Sequence, residues 1–208
     1  MWYWLLMGAL LLLMLSLMKL NKPKLFSASK LTILVTLTVI LLTSLEITHI
    51  ASLWSFFALA FFMLCYGVDA FAPRHRVLQL IFFSIACLGY SLDFWAQVET
   101  LNWAVPIALF ALIVVVFFLL LPLLESFIIE ASLVAVILWQ LSWASGQLWQ
   151  DQHSLLALSG FIGTLLLAAS VLIWSIHYLK KPFKFSYEWL MLCYFSAHIL
   201  VVAPLVLQ

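Results

Sequence analysis

Apolar residues along this chain fall in long unbroken blocks, neither alternating nor confined to one-face stripes. Cutting at polar residues and prolines leaves eight blocks: Trp2–Met18, Leu31–Ile47, Leu53–Phe71, Val77–Val98, Trp103–Leu121, Ser126–Leu148, Ser154–Tyr178 and Trp189–Val206. Each is near the roughly 20 apolar residues, within a range of about 17–25, that a bilayer-spanning helix needs. A membrane barrel would show short alternating segments with a polar lumen face. The pattern therefore predicts an all-α polytopic bundle of eight spans, a single integral membrane domain over residues 1–208 with no soluble domain. The first block lacks a basic lead-in and a small-x-small end, so it is expected to stay as a helix and not to be cleaved as a signal peptide.

Composition agrees. Hydrophobic residues make up 67% of the 208 and charged residues 8%, against about a quarter charged in a soluble domain. The net charge of +1 provides no footprint for nucleic acid. Cys65, Cys87 and Cys193 lie in apolar runs without CxxC spacing, so no disulfide framework is expected.

Charge adds orientation. Lys19, Lys22, Lys24 and Lys30 follow the first block, Arg74 and Arg76 the third, and Lys180, Lys181 and Lys184 the seventh. The positive-inside rule then places the odd connections in the cytoplasm and both termini outside. Tryptophans such as Trp54, Trp103 and Trp149 near block ends match an interfacial aromatic belt.

Ionisable residues inside spans are candidates for function. Asp69 sits in the last turn of the third span, after Tyr66 and Gly67; it reads either as an interfacial carboxylate paired with a loop arginine or as a general acid. Cys87, Tyr90, Asp93 and Gln97 share one face of the fourth span. Asp93, near the outer end, is expected at the interface. Gln140 and Gln147 read as interhelical glue, and the small residues Gly160 and Gly163 as close-packing positions. Tyr194 and His198 stack at i, i+4. His198 falls near the midplane, as a packed neutral histidine or as a relay or substrate contact. Glu125 and Glu130 are expected in solvent or paired with lysines. No GxSxG, phosphate-binding glycine loop or HExxH occurs.

The stretch Leu158-Ser159-Gly160-Phe161-Ile162-Gly163, then Trp174, His177-Tyr178, Phe183 and Cys193-Tyr194-Phe195-Ser196-Ala197-His198, resembles the YhhN family. That family is itself similar to eukaryotic lysoplasmalogenases. Ser145-Gly146-Gln147-Leu148-Trp149, Lys30-Leu31-Thr32, and Gly67, Asp69 and Pro73-Arg74 are similar to it too. Departures fall at polar positions. Val68 separates a Gly-Asp that is adjacent in the family, Cys87 replaces a histidine, Gln147 an acid, and Val171 an Asp or Asn.

The resemblance implies a membrane hydrolase that cleaves the vinyl-ether bond of lysoplasmalogens, giving a fatty aldehyde and a glycerophospho-head group. It implies Asp69 as the acid or cation stabiliser, and Lys30, Arg74 and Arg76 as holders of the lipid phosphate. Tyr66, Tyr90, Tyr194 and His198 are implied as substrate-lining or relay residues. No cofactor or metal is expected. The expected partners are the bilayer and a lipid or lysophospholipid substrate, in a bacterial inner membrane. The alternative reading is a non-catalytic lipid-binding protein of the same fold, or, more distantly, a small transporter. The departures at Cys87, Gln147 and Val171 favour that alternative.

Overall fold

The computed structural model describes residues 2–20, 23–45, 52–71, 76–124, 127–179 and 183–206. Among them all regular secondary structure is helical. The helices are α1 (Trp2–Lys19), α2 (Pro23–Leu45), α3 (Ser52–Phe71), α4 (Arg76–Trp95), α5 (Ala104–Leu124), α6 (Ile128–Gln152), α7 (Leu155–Leu179) and α8 (Ser186–Val206). Five contain segments long and apolar enough to cross a membrane: Leu25–Thr43, Val77–Trp95, Ile128–Gln152, Leu155–Tyr178 and Ser186–Val206. The remaining apolar segments, Trp4–Lys19, Leu53–Val68 and Ala104–Leu119, are shorter. The chain is an all-helical membrane bundle.

Its outside is as apolar as its inside. Leu5, Phe118, Leu119, Ile129 and Leu155 are all more than 60% exposed. In water such a surface would be a large unpaid hydrophobic cost; in a bilayer the lipid tails cover it.

Local chemistry sets the helix ends. Pro23 opens α2 at its first position, where a missing N–H costs nothing. Helix α2 thus starts eight residues before the expected Leu31. Lys30, expected in a connection, instead lies two turns into the helix. Helix α6 likewise runs past Leu148 to Gln152 and stops where His153 turns left-handed (φ 49°), its N–H bonding to the Trp149 carbonyl at 2.9 Å. The Ser154 hydroxyl then caps α7 by accepting the Ala157 N–H at 3.0 Å. Pro122 and Pro204 lie inside α5 and α8, in their last turns.

Tight packing between helices rests on glycine. A Cβ on Gly163 of α7 would come within 2.9 Å of the Val201 backbone nitrogen and 3.0 Å of the Ala197 carbonyl oxygen in α8. One on Gly89 of α4 would meet the Trp54 carbonyl of α3 at 2.8 Å. Close backbone approach of this kind drives association where the solvent is itself apolar. Thr164 adds a buried hydroxyl–hydroxyl bond to Ser145 of α6 at 2.9 Å.

The fourth helix buries the polar face expected of it. Cys87, Tyr90 and Asp93 are inaccessible to solvent. For Asp93 this corrects the interfacial expectation. Its carboxylate accepts the Ser55 N–H at 2.5 Å in the first turn of α3, where backbone amides lack helical partners.

Candidate functional site

Alternating helices bring the ends joined by the odd connections to one side of the bundle. A cavity of about 540 Å³ opens there, walled by α4 to α8 and touched by α2 and α3. One face of α5 contributes Leu109, Leu112, Ile113, Val116 and Phe117, spaced at three and four residues. The shaft is apolar, with Phe83, Leu138, Ala168 and Phe195 on its walls. Polar groups gather near the helix ends: Lys30, Tyr66, Gln79, Glu130, Ser175, Tyr178 and Tyr187.

Among the described residues, Lys30 is the cation of this collar. Only 8% of its surface is exposed. Its Nζ lies 4.7 Å from the Phe26 ring centroid and 4.9 Å from that of Tyr66, within cation–π range. The Tyr66 hydroxyl is hydrogen-bonded to the Ser27 hydroxyl and donates to the Ser27 carbonyl at 3.2 Å, tying α3 to α2 beside the lysine. The ammonium is therefore held at the cavity wall. Nearby, the Cys65 thiol donates to the Gln79 carbonyl at 3.4 Å. His177 Nδ1 and the Ser186 hydroxyl are 2.6 Å apart, joining the end of α7 to the start of α8.

Of the residues singled out in the sequence, Lys30, Tyr66 and Tyr194 meet on the cavity wall. Tyr90 and His198 do not line it. They are buried behind Tyr194, with His198 Nδ1 3.3 Å from the Tyr90 hydroxyl. The His198 ring lies edge-on to Phe62 (centroids 4.3 Å) and Tyr194 (4.6 Å). Its Nε2 has no hydrogen-bond partner among the described residues. Arg74 and the side chains of Asp69 and Arg76 lie outside the described residues. Glu130, expected in solvent or in an ion pair, is half-buried and part of the cavity lining.

The departures from the family pattern separate in space. Val171 lines the cavity. Cys87 is sealed in the core. Gln147 sits at the other end of the bundle, its amide accepting the Asn102 N–H at 3.1 Å and donating to the Thr100 carbonyl at 2.8 Å. It braces the connection between α4 and α5 and does not belong to the cavity wall.

Gln79, Tyr178 and Tyr187 are cavity residues that the sequence reading does not single out as candidates. The available signal was their shared address, since all stand within a turn of ends joined by odd connections.

Comparison with known proteins supplies a lineage. Proteins named "Uncharacterized membrane protein YhhN" from Escherichia coli O6:H1, Escherichia coli O157:H7 and Shigella flexneri are each 29% identical over 143 residues. The match covers 65% of this chain and 66% of each relative. No solved structure matches. The YhhN family model matches residues 25–205, all but the first helix and the last few residues. The chain belongs to the YhhN family.

Proposed function

We propose that this protein hydrolyses the vinyl-ether bond of lysoplasmalogens, releasing a fatty aldehyde and a glycerophospho-head group. The observation that carries the reading is the cavity itself: an apolar space about as large as a small-molecule site, with the Lys30 ammonium held at its polar collar. An amphiphile with one chain and a phosphate head has the matching polarity. Lys30 would meet the phosphate, with Arg74 and Arg76 on the same side. The tail would lie along the shaft.

The chemistry asks for one acid. Protonating the alkene carbon gives an oxocarbenium ion. Water adds to its oxygen-bearing carbon, and the hemiacetal collapses to aldehyde and alcohol. A positioned carboxyl can donate the first proton, and its anion can stabilise the cation. Asp69 is our choice. It stands three positions after the collar residue Tyr66 in the sequence of α3, and it is the residue that matches the family's Gly-Asp signature.

The test is aldehyde release from a lysoplasmenyl lipid by purified protein in detergent. Turnover supports the reading. No turnover on any lysoplasmalogen passes it to the second one, a lipid-binding protein of the same fold. Two observations favour that second reading: Gln147 is committed to bracing a connection, and Val171 presents an apolar side chain to the cavity.

We further propose that all eight helices span a bacterial inner membrane as one domain, with both termini outside. C-terminal reporter fusions should then be active with a periplasmic reporter and silent with a cytoplasmic one; the reverse pattern would overturn this orientation.

A further inference from the structure

The cavity extends far along the helix axes. On α7 its wall runs from Leu165 to Tyr178, about 20 Å at 1.5 Å per residue. On α6 it runs from Phe127 to Ser142, about 22 Å. Both of these walls are mostly apolar, as an alkyl chain would need.

The shaft has a definite closed end. Leu109, Ser142 and Leu165 are the last wall residues of α5, α6 and α7 in the direction away from the collar. One turn beyond Ser142, the Ser145 hydroxyl bonds to that of Thr164 at 2.9 Å. Gly146 is packed so closely that an added Cβ would lie 3.0 Å from both Phe161 and Val105. Helices α5, α6 and α7 thus pack closely just beyond the last wall residues, where a chain entering from the collar would end.

We propose that this closed end is a chain-length ruler, with Leu109, Ser142 and Leu165 setting the longest tail the protein accepts. A staggered chain with C–C bonds of about 1.5 Å and angles near 111° advances about 1.25 Å per carbon, so about 20 Å admits about 16 carbons. The inference rests on the reading of the shaft as a lipid-tail site; it does not depend on hydrolysis.

The test uses the full chain in detergent and saturated 1-acyl lysophosphatidylethanolamines of roughly 12 to 20 carbons, a series bracketing that length. These esters carry no vinyl ether, so binding is read without turnover, from the thermal stabilisation each lipid confers. A methylene that fits the shaft adds about fourfold to affinity. Affinity should climb along the series and flatten near about 16 carbons. Leu165→Ala should move the break to longer chains by two or more carbons, and Ser142→Leu should move it to shorter ones. If Ser142→Leu does not fold, Leu165→Ala decides alone. The ruler is overturned if affinity climbs unbroken through the series, if no lysolipid binds, or if the break stays put in every folded variant. Failure of aldehyde release with a length break that moves as stated would overturn the hydrolase reading and support the ruler.

Discussion

The two ends of this bundle set their polar groups in different surroundings. At the end carrying the α4–α5 connection, polar side chains are consumed in holding the chain. Gln147 bonds to Thr100 and Asn102, and one turn on, Asp151 accepts the Glu99 and Thr100 N–H groups at 3.0 and 3.1 Å. Trp143 stands among Trp95, Trp103 and Trp139 at centroid distances of 5.0 to 5.6 Å, and Trp139 donates to the Pro106 carbonyl. At the collar end, Lys30, Gln79 and Glu130 face a cavity. The contrast teaches that composition does not separate brace from site. Both ends carry amides, acids and aromatics. What differs is whether the helices close around them.

The largest effect that would break this comparison concerns the collar end. Asp69→Asn should lower aldehyde release by roughly 10²–10⁴, the usual worth of a positioned acid, while the protein still inserts and purifies. Near-normal turnover would remove Asp69 from the mechanism.

Next in size is the packing of α7 against α8. Gly163→Ala forces a methyl against the backbone of α8 and should cost about 1–3 kcal/mol, read as a lower Tm in detergent. An unchanged Tm would show that α7 and α8 can separate freely.

Gln147→Leu tests the brace directly. It removes two hydrogen bonds from a buried amide and strands two backbone groups, at a cost of about 1–3 kcal/mol. Stability should fall while lysolipid affinity holds. Loss of turnover in a protein that still binds lipid with full stability would make Gln147 part of the site.

The smallest effect sharpens the collar. Lys30→Met keeps the apolar stem but removes the charge, and should weaken binding of a phosphate-headed lysolipid about tenfold, equivalent to about 1.4 kcal/mol. A long-chain alcohol without phosphate should bind as before. Equal weakening of both ligands would assign Lys30 to packing.

Much of this was legible in the pattern of the chain. Blocks of about 20 apolar residues can satisfy their backbone polar groups in a membrane only as helices. The spacing of Cys87, Tyr90 and Asp93 put them on one buried face, and Gly160 and Gly163 announced a close contact. Less was legible about the site. Tyr90 and His198 sit at functional-looking depth, yet they pack behind the wall residue Tyr194. That Glu130 lines a cavity was not legible in the sequence. Depth along a helix can be counted from the sequence; the direction of a void cannot.

By itself, then, the sequence determined the class of structure, because hydrophobic length is a local quantity summed along the chain. It also carried the family, in short motifs near the C-terminus. Only the tertiary structure decided that Lys30 lies within α2 and against two rings, that Asp93 meets the start of α3, and that Gln147 serves a connection while Glu130 faces a cavity. Each of these depends on which helix stands beside which, and in a bundle whose every face is apolar, no stripe of hydrophobicity marks the neighbour. Partner choice there rests on small residues and a few buried hydrogen bonds, and these act only once the helices are side by side.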